Sequence, residues 1–132
     1  NRALRWTLIG DYQNNTGGSV SMTSRVKYGG TTVFSEAKNL VADATGRHGL
    51  ILRGILSAQN ATNAQVAWGE DSYFGITTNV NGIATNQNIG MAVHNAIAVD
   101  STANQTFEIT FQMAAADANT SARALVVHLE LI

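Results

Sequence analysis

Few groups in this chain can exchange protons near neutrality or hold a metal ion: His48, His94 and His128, with nine Asp and Glu residues. No two histidines stand at H-x-x-x-H or H-E-x-x-H spacing, which lets two imidazoles reach one ion from a helix. His128 and Glu130 are two residues apart and would share one face of a strand. Two ligands do not make a site, so the pair reads as solvent-facing. His48, between Arg47 and Gly49, reads as a loop residue, and His94 in its apolar stretch as a core or interface histidine. Glu70-Asp71 is the one adjacent acid pair. On a strand its two carboxylates would point to opposite faces, unlike a glycosidase pair that straddles one bond. The oxygen-rich spacing of a calcium loop is missing as well, so a solvated turn after Trp68-Gly69 is expected there. No G-x-S-x-G elbow exposes a serine, and no glycine-rich loop cradles a phosphate. Without cysteine there is no thiol nucleophile, disulfide or Cys-based metal site. The chain reads as non-enzymatic, with no catalytic, metal or cofactor-binding residue and no cofactor.

Binding chemistry offers more. A sugar ring stacks on an exposed aromatic flanked by hydrogen-bonding groups. Trp68, Glu70, Asp71 and Tyr73 form the best such set. Against it, Trp68 is in phase with Val66, as Trp6 is with Leu4 and Leu8, which favours core positions for both tryptophans. Asn14, Asn60, Asn104 and Asn119 each open an Asn-x-Ser/Thr triplet, the acceptor pattern for N-linked glycans in a secreted eukaryotic protein. The net charge is −1 and the basic residues are scattered, so nucleic acid and acidic membranes are not expected partners. No apolar run approaches the roughly 20 residues of a membrane helix.

The elements that must position these groups read as strands. Phe107, Ile109, Phe111 and Met113 alternate with Glu108, Thr110 and Gln112, and Leu4, Trp6 and Leu8 alternate with Arg5 and Thr7. Val20, Met22, Val26 and Tyr28 alternate with polar residues, and Leu125, Val127, Leu129 and Leu131 alternate in the last segment. Further strands are expected near 49–57, 65–68, 72–77 and 89–99. Turns are signalled by 14–18, Gly29-Gly30, Asn81-Gly82 and Asp100-Ser101. Residues 35–44 place Ala37, Leu40, Val41 and Ala44 at helical spacing, though a loop with a short strand is the preferred reading. Proline is absent, so every backbone N–H remains open to a ladder. Roughly eight or nine short strands in 132 residues make one domain, an all-β antiparallel sandwich.

Two stretches break the one-face rule. Leu50-Ile51-Leu52 with Ile55-Leu56 are apolar on both faces, and so are residues 126–132 if Val126 and Ile132 are covered; only 13% of the chain is charged. A second surface must cover them. The expectation is that both stretches lie centrally, with Ile51, Ile55, Val126 and Ile132 at a contact between copies.

Three segments together carry a resemblance: Leu4-Arg5-Trp6-Thr7-Leu8, Gly49-Leu50-Ile51-Leu52-Arg53-Gly54, and Arg123-Ala124-Leu125-Val126-Val127-His128-Leu129-Glu130-Leu131. With the ladder over 106–113 they resemble jelly-roll modules of tailed-bacteriophage virion proteins, in pattern and composition rather than by an invariant motif. That resemblance implies a jelly-roll sandwich without catalytic machinery, either a capsid decoration (cement) protein or a head- or tail-fibre tip. It implies symmetric clusters, trimers favoured, with contacts to the major capsid protein or other virion proteins and to a host surface glycan. The module would be made in the bacterial cytoplasm and reside in the virion, where an absence of cysteine is natural. A free carbohydrate-binding, lectin-like module is the alternative.

Overall fold

The structure, a computed structural model, describes residues 2–74 and 87–132, with backbone alone for 87–90 and 92–96. Among these residues all regular structure is strand: β1 (Ala3–Asn14), β2 (Val20–Tyr28), β3 (Thr31–Leu40), β4 (His48–Ala61), β5 (Ala64–Phe74), β6 (Gln87–Ile97), β7 (Phe107–Met113) and β8 (Thr120–Leu131). They form two antiparallel sheets, one of five strands in the order β6-β5-β4-β1-β8 and one of three in the order β3-β2-β7. The sheets face each other as a sandwich.

Period-two alternation sets which side of each strand is inner. Trp6, Leu8, Leu50, Leu52 and Leu56 of the large sheet are buried against Met22, Val26 and Phe34 of the small one. Trp6 is fully buried, as its phase with Leu4 and Leu8 predicts, and its ring centroid lies 5.6 Å from that of Phe107. Its indole lies over Gly54, where an added Cβ would stand 2.2 Å from a ring carbon; the glycine makes room for the ring.

The Gly29-Gly30 turn is found as expected. Tyr28 pairs with Thr31 across it, and both glycines have positive φ (54° and 79°), the backbone of a type I′ hairpin. Asn14, one of the four glycan-acceptor candidates, is fully buried. Its amide donates to Gly18 O (2.8 Å) and Leu40 O (2.9 Å), holding the β1–β2 turn against the end of β3. Gln65 anchors the segment that crosses from one sheet to the other: its amide donates to Val99 O (2.9 Å) and its carbonyl accepts from Val99 N (3.2 Å).

Several expectations change. Residues 31–40 form one continuous strand, so the helical spacing within 35–44 is incidental. Residues 64–74 are also one strand, and Glu70-Asp71 lies inside it rather than in a solvated turn. Trp68 pairs with Ile55 on the outer side of the large sheet and is half-buried, not core. The Asn81-Gly82 turn and the end of the 72–77 segment lie outside the described residues. The largest change concerns β8. Its two-faced apolar sequence predicts a central strand, yet β8 is the edge of the five-stranded sheet, whereas β4 is central.

Candidate assembly edge

β8 pairs with β1 along its whole length, from Leu4↔Leu131 to Asn14↔Thr120. Its other edge has no described strand beside it. The register settles the faces. Leu131, Leu129 and Val127 stand opposite Leu4, Trp6 and Leu8, and Ala124 and Ala122 stand opposite Gly10 and Tyr12, all on the inner side. Glu130, His128, Val126 and Arg123 stand opposite Arg5, Thr7, Ile9 and Asp11 on the outer side. A slip between Ile9 and Gly10 leaves Leu125 as an extra residue on β8 and reverses its odd–even phase.

On an ordinary edge strand the inner side chains are covered and the outer ones are polar. Here Leu125, Val126, Val127, Leu129, Leu131 and Ile132 are all 45–64% exposed. The inner face of β8 overhangs the three-stranded sheet. Between it and β7 runs a groove of about 340 Å³ lined by Leu8, Phe107, Ile109, Phe111, Ala124, Val127, His128 and Leu129. A second groove, of about 370 Å³, continues past Leu4, Tyr28, Phe107, Leu129 and Leu131. Natural sheet edges are guarded by proline, by inward-pointing charge or by bulges. β8 has one bulge, no proline, and its Arg, His and Glu all on the outer face.

That outer face is electrostatically ordered. Asp11 receives Arg123 on both carboxylate oxygens (2.6–2.9 Å) and Arg47 on Oδ1 (2.6–2.7 Å). These hydrogen bonds, with Arg123 first, hold its pKa down at about 2 against desolvation. Arg47 also reaches Gln13 and Ser121. Farther along, Arg5 meets Glu130 at 3.4 Å in solvent.

The interface residues expected from sequence divide by strand. Ile51 and Ile55 lie half-buried on the outer face of central β4, while Val126 and Ile132 lie exposed on the edge. No exposed-edge signal was legible for Phe107 or Phe111. Their alternation says inward, and only the overhang of β8 shows that they line an open groove.

The sugar-contacting set divides too. Trp68 and Glu70 lie on the outer face, where Arg53 holds Glu70 and a groove of about 390 Å³ runs past Arg5, Thr7, Ile55 and Trp68. Asp71 and Tyr73 face inward and are 1% exposed. Asp71 is tolerated at an inner position because the interior supplies it with partners. Asp71 accepts from Ser24 (2.9 Å) and lies 3.6 Å from Lys38 Nζ, which is also 3.6 Å from Glu36. Burial pushes the hydroxyl pKa of both Tyr73 and Tyr12 upward, and Tyr12 donates to Phe74 O (2.8 Å).

His48 opens β4, with Nε2 2.9 Å from Asp43 and its ring over Tyr12. His128 shares the outer face with Glu130, as its spacing predicts. The side chain of His94 lies outside the described residues. Among the described residues no three His, Cys, Asp or Glu side chains converge on a metal position, and no helix is long and apolar enough to cross a membrane. No protein-family model matches the chain, and no curated protein or solved structure is found to be similar to it.

Proposed function

We propose that this chain is a non-catalytic structural module of a tailed-bacteriophage virion, a capsid decoration protein or a head- or tail-fibre tip, which acts by packing against its own copies and against other virion proteins. The observation that carries the packing role is the open apolar edge of β8 above the groove shared with β7. Apolar surface contributes roughly 25 cal/mol for each Å² removed from water, so an uncovered strand of this kind is a strong drive to association. The virion setting and the jelly-roll type rest on the resemblance in pattern and composition. The low charge, the absence of cysteine and the Asn/Thr/Ala-rich loops agree with them.

Light scattering coupled to size exclusion tests the packing role. A closed oligomer at micromolar concentration is the expected result. A monomer at every concentration that also fails to bind isolated capsids would refute it.

A second reading, a free carbohydrate-binding module, is favoured by one observation: half-buried Trp68 flanks the outer groove beside Glu70, Arg5 and Arg53. It requires Trp68→Ala to abolish glycan retention while the circular dichroism spectrum stays unchanged.

A further inference from the structure

We infer that β8 pairs antiparallel with β8 of a second copy about a two-fold axis through Val127, joining the two five-stranded sheets edge to edge. This rests on the packing role proposed above and replaces the threefold cluster implied by the resemblance with a two-fold contact.

The occupant is a second copy because β8 is complementary to itself. A two-fold axis perpendicular to the sheet keeps the inner face inner, so each residue pairs with one on its own face. With the axis at Val127, that residue meets its own copy. Leu129 then meets Ala124 and Leu131 meets Ala122, setting a large inner side chain opposite a small one each time. On the outer face Glu130 falls opposite Arg123 of the partner subunit, twice by symmetry. The extra residue at Leu125 makes this possible: without that slip, positions 123 and 130 would lie on opposite faces.

The charges continue what each copy already has. Arg123 is held by Asp11 and Glu130 by Arg5, and all four lie on the outer face. Across the axis they form an alternating row: Asp11, Arg123, the partner subunit's Glu130 and the partner subunit's Arg5. The side chains of Arg123 and Glu130 remain 57% and 42% exposed, with donors and acceptors to spare.

Neighbouring registers are worse. An axis at Val126 brings the two bulges closer together across the axis and puts Arg123 opposite His128. An axis at His128 stacks that residue on itself and puts Glu130 opposite Leu125-Val126. In each of these registers the open β7 grooves of the two copies lie on the same side of the joined sheet, so the side-chain pairings alone choose among them.

The chain has no cysteine, so single thiols report the register directly. Residues directly paired across antiparallel strands have Cα atoms about 4.5–5.5 Å apart, within disulfide reach. Under mild oxidation Val127→Cys is expected to run as a covalent dimer. Ala124→Cys and Leu129→Cys are each expected to stay uncross-linked alone and to join when mixed, which keeps the test valid if Val127→Cys folds poorly. A wild-type oligomer by light scattering in which Leu129→Cys cross-links with itself, or in which neither Val127→Cys nor the mixture cross-links, overturns the register and leaves the packing role standing. So does an oligomer of three copies. A wild-type monomer that binds no capsid overturns both.

Discussion

The two flanks of the sandwich invert the usual placement of polar and apolar groups. Where β3 lies over β5, charge is inside: Asp71 is buried between the sheets with Ser24, Lys38 and Glu36 around it. Where β8 overhangs β7, apolar side chains are outside. The difference teaches how each flank is completed. The polar cluster is satisfied within the described chain, since its donors and acceptors meet one another across the sheets. The apolar edge is not, since no described side chain lies over Val127, Leu129 or Leu131 far enough to exclude water. One flank is finished by folding and the other is left open among the described residues.

The largest effect should come from breaking the finished flank. Asp71→Ala leaves the Lys38 ammonium buried without that carboxylate, and removing one member of a buried pair costs about 3–5 kcal/mol. Urea denaturation is expected to show a loss of that size with no change in oligomer mass. If stability changes by less than about 1 kcal/mol, the cluster is hydrated and the contrast between the flanks fails.

Asn14→Ala comes next. It removes an amide that donates to two backbone carbonyls and leaves Leu40 O short of a buried donor, a loss of about 1–3 kcal/mol. The same measurement checks it. A neutral substitution would mean that water replaces the amide.

Leu129→Lys acts on the open flank and should reverse the pattern. Chain stability measured at low protein concentration is expected to move by no more than about 1 kcal/mol, because the residue is already 48% exposed. Association, read by light scattering, is expected to be lost. Unfolding of the chain instead would place Leu129 in the core of a folded unit.

The smallest effect is in pH. Hydrogen bonds from Arg123 and Arg47 depress Asp11 from 3.8 to about 2 in the folded state, so the stabilisation is fully present above the unfolded value. It is lost as pH falls from about 4 through about 2. The exposure of Arg123 screens the pair, so about 1 kcal/mol is expected over that window. Comparing urea midpoints of the parent and Arg123→Ala between pH 5 and pH 2 isolates this part of the slope.

Much of the fold was legible because alternation is a local property. Strand existence, inner faces and the Gly29-Gly30 hairpin follow from side-chain period and from the φ that glycine permits. The burial of Asp71 escapes local spacing for a reason of the same kind. Taken alone, a Glu-Asp pair after Trp-Gly reads as a solvated turn, and only Ser24 and Lys38, far away in sequence, make its burial tolerable. Likewise, Trp68 has the phase of a core residue beside Val66, but the side of the sheet on which that phase falls depends on the pairing with β4.

The sequence by itself determined that this chain is made of strands, that two of its segments carry large apolar residues at both odd and even positions, and that it holds no recognisable catalytic motif. Those properties reside in residue type and short-range spacing. Only the tertiary structure decided which two-faced segment is central and which is the edge. It also decided that Phe107 and Phe111 line an open groove, and that Arg123 and Glu130 share a face. The physical reason is that sheet order, overhang and the slip at Leu125 come from pairings between distant strands, and no run of neighbouring residues records them.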